Sequence, residues 1–467
     1  MLKPEVRGWC CALGVCAALL VCTGARADFK WAMSQFDAGR YEAARAEFLA
    51  LAALGDDNSQ YNLGAMTLQG QGGPASKGAG VGWLLAAAEN GNHELPAAEL
   101  QSLKAALSEA ERHDAQQVLD VYGHEALLRT TLPPDELQCP GLVQARPALT
   151  NDPLKGFMST HTGIILVAFT VGADGHLRDP ELRAVISDLT AQAVAPVLFE
   201  PLLQWHWRPA TLNKVPRELR VLIKILPNGT PNGQGGVTWQ TNQLNRIRTA
   251  AEGGNADAAY LFGLLQSLDP SLAHGSKPRD FTLTAAQVGQ PEAAHAVARR
   301  FDLLSLCNKG GDPRRLPWLR YAAAAGETSA DLDLAQALLD QPPSADQLAQ
   351  IKSLLQGAAT SDNFHAKKYA VALLAASPID AVRLPEAALA AAQSLSRSPI
   401  QSDPQMFEAV AAAQAASGDF AQAATQQQTA LAKAQALGWN TRFIEERLDA
   451  YRSRKAWYGD IFAVPAP

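Results

Sequence analysis

From Gly163 the chain reads GIILVAFTV, an uninterrupted apolar run rich in branched residues. Ile165, Val167, Phe169 and Val171 fall on one face of an extended strand, and Ile164, Leu166 and Ala168 make the other face mostly apolar too. A strand apolar on both faces requires cover on both. At Gly172-Ala173-Asp174-Gly175 the run ends. The Asp-Gly pair there supplies the positive backbone angles of a tight hairpin and predicts an antiparallel return from about His176. Val194 to Trp205 then sets Val197, Leu198, Pro201, Leu202 and Trp205 at helical spacing, a face able to pack back on the hairpin. A last apolar stretch, from about Arg217 to Leu226, closes the unit as a strand at a sheet edge.

The flanking pattern is helical and repetitive. Phe36, Tyr41, Ala44, Phe48 and Leu51 keep helix spacing around Gly39, which predicts an antiparallel helix pair. An alanine three residues ahead of a glycine or aspartate then recurs as Ala52 and Gly55, Ala88 and Gly91, Ala251 and Gly254, Ala286 and Gly289, Ala323 and Gly326, and Ala359 and Asp362. Within each region the period is about 36 residues, the mark of stacked helical hairpins. Alanine lets the helices approach closely, and glycine or aspartate can take the left-handed conformation that ends a helix. Leu100 to Leu132 reads as one or two helices stopped by Pro133-Pro134, and Asn228 to Gly236 as a flexible linker. Past the repeats, Phe407 to Ala416, Ala421 to Leu437 and Thr441 to Trp457 read as further helices.

Two family resemblances rest on these residues. The ordered set Pro147, Gly163, Phe169, Val171, Asp174, Gly175, Phe199, Leu202, Trp205, Trp207, Arg208, Pro209, Ala210 and Pro216, with the strand after it, resembles the TonB carboxy-terminal domain over about residues 139–227. The chain departs from that family in carrying Arg146, where an aromatic is usual, before Pro147, and in lacking a Pro/Lys/Glu-rich spacer. The repeats resemble the Sel-one-like branch of the tetratricopeptide family, through Leu63-Gly64, the WLLAAAENG run at Trp83 to Gly91 and the glycine series. The expected fold is therefore mainly α: an α-solenoid of helical hairpins with a small inserted α+β domain. Its parts are a signal peptide (1–27), N-terminal repeats (28–132), the TonB-like domain (139–227), a linker (228–240) and a C-terminal repeat array (241–460).

The leader sets the expected compartment. Lys3 and Arg7 precede an apolar run from Trp9 to Thr23 and then Ala25-Arg26-Ala27, the form of a secretory signal cleaved after Ala27. Retention as a membrane anchor is the alternative, although the run is shorter than the ~20 residues of a spanning helix. Four of the 6 cysteines lie in the leader, leaving Cys139 and Cys307 either to pair in an oxidising periplasm or to stand as two separate thiols. The formal charge of −6 excludes general attraction to nucleic acid or an anionic membrane.

Chemistry is nearly absent from the pattern. No phosphate loop follows a strand, and neither a G-x-S-x-G nor a His-Glu-x-x-His motif occurs. His161, His176 and His206 share the sheet module without metal-ligand spacing. Trp205 and Trp207 fit core packing, on opposite faces if the segment is extended, and Asp174 is better used by its turn than as an acid-base partner of Asp179. The expectation is a protein without enzymatic activity, cofactor, metal or small-molecule substrate.

What remains is protein binding. The repeat array offers a surface for a peptide or helix, or merely braces itself and the sheet. The closing strand offers Arg217, Leu219, Arg220, Val221, Ile223 and Ile225 as an edge for an added strand, with Lys214, Arg217 and Arg220 as a basic rim. The TonB resemblance implies that this edge takes the TonB box of an outer-membrane receptor. Against this periplasmic adaptor stand two alternatives: an inner-membrane-anchored transducer working with an Exb-type proton motor, and a cell-envelope enzyme regulated by its repeats.

Overall fold

The computed structural model describes residues 28–91, 94–130, 141–147, 163–187, 190–227, 234–272, 278–307, 312–398 and 400–463. The leader and its cleavage, His161 and the Cys139–Cys307 pairing lie outside the described residues and side chains. Among the described residues, no helix is long and apolar enough to cross a membrane.

The chain begins with α1 (Phe29–Asp37), α2 (Tyr41–Ala52), α3 (Asp57–Gln69), α4 (Lys77–Glu89), α5 (Ala97–Ala105), α6 (Glu109–Tyr122) and α7 (His124–Thr130). After a small β-rich insert come α9 (Gln234–Glu252), α10 (Ala256–Leu268), α11 (Pro278–Gln287), α12 (Pro291–Cys307), α13 (Arg315–Ala324), α14 (Thr328–Leu339), α15 (Ala345–Thr360), α16 (Phe364–Ala376), α17 (Pro385–Leu395), α18 (Pro404–Ala416), α19 (Phe420–Ala436) and α20 (Arg442–Arg452). Each helix of this second series packs on the next, which makes a helical repeat solenoid. Gly55, Gly91, Gly254, Gly289 and Gly326 all take positive φ, between 85° and 118°, so the helix-ending role read from the period holds at these five. Asp56, Asn255 and Glu327 follow directly and cap the next helix with their carbonyl or carboxylate oxygens. Asp362 breaks the series. There α15 leaves through Ser361 in an extended conformation (φ −67°, ψ 165°), and no left-handed residue is used.

Three boundaries differ from the sequence expectation. The stretch expected as a linker over 228–240 is helical from Gln234, and Gln240 ties it down by donating to the carbonyls of Gly163 and Pro227 (3.1 and 3.0 Å). Leu100 to Leu132 contains parts of three helices rather than one or two, because Ser108 and Gly123 each interrupt the run. The last helix ends at Arg452, not Trp457: Arg454 at φ 57° turns the chain back, and residues 455–463 run without regular structure.

The two helical regions touch. Leu51 and Leu54 belong to the same apolar core as Leu283, Ala286 and Tyr321, and the Tyr321 hydroxyl donates to Asp56 at 2.7 Å. Asp56 and Asp57 are both buried at this joint. Burial first, and the neighbouring Asp56 carboxylate second, push the Asp57 carboxyl up to about 7. A carboxyl raised in the fold favours folding while it stays protonated, and that contribution disappears as pH climbs from the unfolded value through about 7. Stability is therefore expected to fall between about pH 4 and 7, by at most about 1.4 kcal/mol per pH unit from this group. Denaturant midpoints measured across that range will show a smaller decline in Asp57→Asn than in the parent.

The insert comprises β1 (Leu142–Val143), β2 (Arg146–Pro147), β3 (Gly163–Val171), β4 (Leu177–Ser187), α8 (Ala191–Leu203), β5 (Trp207–Arg208), β6 (Ala210–Leu212), β7 (Val215–Arg217) and β8 (Leu219–Ile225). Its main sheet has the order β4-β3-β8, all antiparallel, while β1-β6-β7 and β2-β5 form small ribbons beside it. Both faces of β3 are covered, as its composition demands. Ile165, Val167, Phe169 and Val171 pack under Val194, Leu198 and Leu202 of α8 and against Trp207. Ile164 and Leu166 pack on Leu265, Trp239 and Leu244 of α9 and α10. The solenoid thus covers one of the two faces of β3.

Candidate partner-binding edge

The β3–β4 hairpin of the insert is closed by one left-handed glycine rather than by an Asp-Gly pair. Gly175 alone takes positive φ (82°), and a Cβ there would lie 2.3 Å from the Trp207 carbonyl. The Gly175 amide donates to Gly172 and the Gly172 amide to His176, a turn closed by a left-handed bulge residue. Asp174 keeps a non-positive φ and accepts a two-pronged ion pair from Arg178 (2.8 and 2.6 Å), whose guanidinium stacks 4.3 Å above Trp439 of the array. Trp205 and Trp207 do not point to opposite faces: their rings meet edge-on at 5.5 Å, and Trp207 stands edge-on to Phe169 at 5.1 Å. Arg208 lies opposite Arg146, and Trp207 opposite Pro147, in the β2–β5 ribbon, with Pro209 half-buried beside it. His176 and His206 pair across an antiparallel bridge, their rings 4.9 Å apart. Among the described residues no three His, Cys, Asp or Glu side chains come together as a metal site.

The closing segment is two strands. Arg217 belongs to β7 and lies opposite Ala210, whereas β8 begins at Leu219 and pairs only with β3 among the described residues. Register fixes which way each β8 amide faces. The Gly163 amide donates to the Pro227 carbonyl (3.2 Å), and in an antiparallel ladder every second pair is of that bonded kind. Leu219, Val221, Ile223 and Ile225, opposite Val171, Phe169, Val167 and Ile165, are therefore bonded to β3. The backbone groups turned away from β3 are those of Arg220, Leu222 and Lys224. Side-chain alternation had selected the former set, because the residues most legible as strand are those whose side chains reach the core. Of the candidates, only Arg220 carries an outward amide.

The basic rim also divides. Lys214 and Arg217 are exposed, but Arg220 turns onto the sheet face, where it pairs with Glu181 and donates to the Asp179 carbonyl (3.2 Å). On that face Glu181 also meets Arg183, Ser329 and Asn363, the last two at the starts of α14 and α16. Burial would raise the Glu181 carboxyl, but Arg183 and Arg220 outweigh it and hold it well below the usual range. Next to it sits a charge cluster that sequence reasoning missed. Lys368 of α16, fully buried, donates to Asp179 (2.6 Å), Asp403 (2.8 Å) and Gln405 (2.9 Å), and the Tyr369 hydroxyl donates to Asp179 at 3.0 Å. Asp179 itself is held at φ 53°, an unusual backbone state for a side chain with a Cβ. Burial opposes its ionisation, yet Lys368 and His365 outweigh that and keep the carboxyl far below its ordinary value. The signal was present: Lys368 falls on the apolar stripe of its helix, with Phe364, Val371 and Ala375.

No protein-family model matches the chain, and no curated protein matches it. Among solved structures, a match is a protective antigen present in uropathogenic Escherichia coli strains and displaying an SLR fold, 14% identical, with 92% of this chain and 84% of that chain covered at a TM-score of 0.33. At that score the likeness adds nothing to the architecture, which rests on the stacked helix pairs and left-handed glycines described above.

Proposed function

We propose that the protein is a periplasmic adaptor, without enzymatic activity or cofactor, that takes up an extended segment of a partner protein as an added strand along β8. The observation that carries this reading is the row of outward backbone groups at Arg220, Leu222 and Lys224, flanked by the exposed cations Lys214 and Arg217. The resemblance of the insert to the TonB carboxy-terminal domain makes the TonB box of an outer-membrane receptor the partner segment to try first. An adaptor is favoured over a motor-coupled transducer because, among the described residues, the insert is followed by the α-helices α9 to α20 and is docked on several of them.

The test uses proline as a backbone probe, since it removes one amide and is tolerated at outward edge positions. With a labelled TonB-box peptide, Lys224→Pro is expected to weaken binding about tenfold or more, corresponding to at least about 1.4 kcal/mol. Lys224→Ala, which keeps the amide, should bind within about twofold of the parent, a few tenths of a kcal/mol. Equal binding by Lys224→Pro and the parent would remove strand addition at this edge. Failure of the parent to bind would remove the receptor box as partner. Val221→Pro serves as the contrasting variant: its amide bonds β3, so it should disrupt the sheet itself.

A further inference from the structure

The C-terminal segment lies in the array as a bound peptide would. After Arg454 turns the chain back, residues 455–463 cross the solenoid without helix or strand. The Gly459 amide donates to the Ala376 carbonyl at the end of α16 (2.7 Å). Ile461 and Phe462 are buried, 2% and 9% exposed, while Tyr458 and Asp460 on either side of Gly459 face outward. Phe462 meets the Tyr369 ring at 4.7 Å and lies 5.6 Å from the Lys368 ammonium, which Phe364 and Tyr369 also surround. The exposed Tyr458 ring carries the Arg383 guanidinium at 4.0 Å. Two adjacent apolar anchors, one backbone bond and outward polar neighbours are the makings of peptide recognition rather than of a structural helix end.

We propose that this groove on α16 is a peptide-binding site occupied in cis by the chain's own residues 457–463, and that it accepts in trans an extended segment carrying an aliphatic and an aromatic residue in succession. The anchor pocket adjoins the insert, because the Tyr369 that meets Phe462 edge-on also donates to Asp179 of the hairpin. Occupancy of the groove and docking of the insert therefore share one side chain. The groove is separate from the β8 edge, and its test needs no strand-addition partner.

The experiment uses the full chain with the recognition sequence of a site-specific protease inserted between Arg454 and Lys455, cut after folding. A fluorescent synthetic peptide of residues 455–463 is the probe. After cutting and gel filtration the protein is expected to have lost its tail by mass and to bind the probe saturably. Unlabelled peptide should compete, and the same peptide with Phe462→Ala should compete at least about tenfold less well. The uncut parent should bind the probe at least about tenfold more weakly, since its own tail competes at high effective concentration. In a second arm, Phe462→Asp in the uncut chain should free the groove and allow probe binding with the thermal transition retained. A cut chain that keeps its tail and exchanges none of it over a day overturns the proposal. So does loss of the thermal transition on cutting, or a folded Phe462→Asp chain that binds no probe.

Discussion

Replacing Lys368 by methionine will destabilise the folded chain by about 3–5 kcal/mol, the usual effect of removing one partner from a buried ion pair. Lys368 is fully buried between Asp179 and Asp403, so its loss leaves two carboxylates facing each other in the interior. The cost comes mainly from those stranded charges and not from the pair's own net contribution, since a buried pair repays its desolvation only in part. The variant Lys368→Met with Asp179→Asn and Asp403→Asn should therefore recover much of the loss. Denaturant unfolding of the four chains, with methionine and asparagine changes made separately and together, measures the coupling. Additive losses would show that Lys368 does not act through these two carboxylates.

Residues 139–227 expressed alone will show no cooperative thermal transition, although the resemblance to an independent domain suggests otherwise. In the whole protein Ile164 and Leu166 are fully buried, and Trp239, Leu244, Ile247, Leu261, Leu264 and Leu265 of α9 and α10 supply much of their cover, beside Ala184, Ile186 and Leu222 of the insert's own sheet. Exposing each costs about 1.5–3 kcal/mol, a large share of a small domain's total stability of about 5–15 kcal/mol. Excision also strips Glu181 of Ser329 and Asn363, and Asp179 of Lys368 and Tyr369. Circular dichroism during heating decides the matter. A sharp transition in the excised piece would mean that the array contributes packing but not folding.

The dependence was readable in the sequence only in part. GIILVAFTV, apolar at successive positions, required cover on both faces, and α8 was visible as one cover from its helical spacing. The second cover comes from helices that begin about 70 residues beyond the start of the strand, and no local pattern carries that distance. The same limit hid the tail. Its apolar residues suit a continuing helix, and only Arg454 in the left-handed region, a state that side chains rarely adopt, ends α20 early. The sequence weighed Asp179 only against Asp174, for the same reason, since its side-chain partners His365, Lys368 and Tyr369 lie far along the chain in α16.

The sequence by itself determined the helical repeats, through the period of alanine and glycine, and the hairpin, through an apolar run that ends at Val171 and a turn closed at Gly175. These are local properties: helix spacing, strand alternation and left-handed turns are decided within a few residues. Tertiary structure alone decided that the insert is docked on the array, which charges are buried between them, which amides of β8 face outward and where the tail lies. Those features depend on which distant segments meet, and on a register that reverses every amide with a shift of one residue.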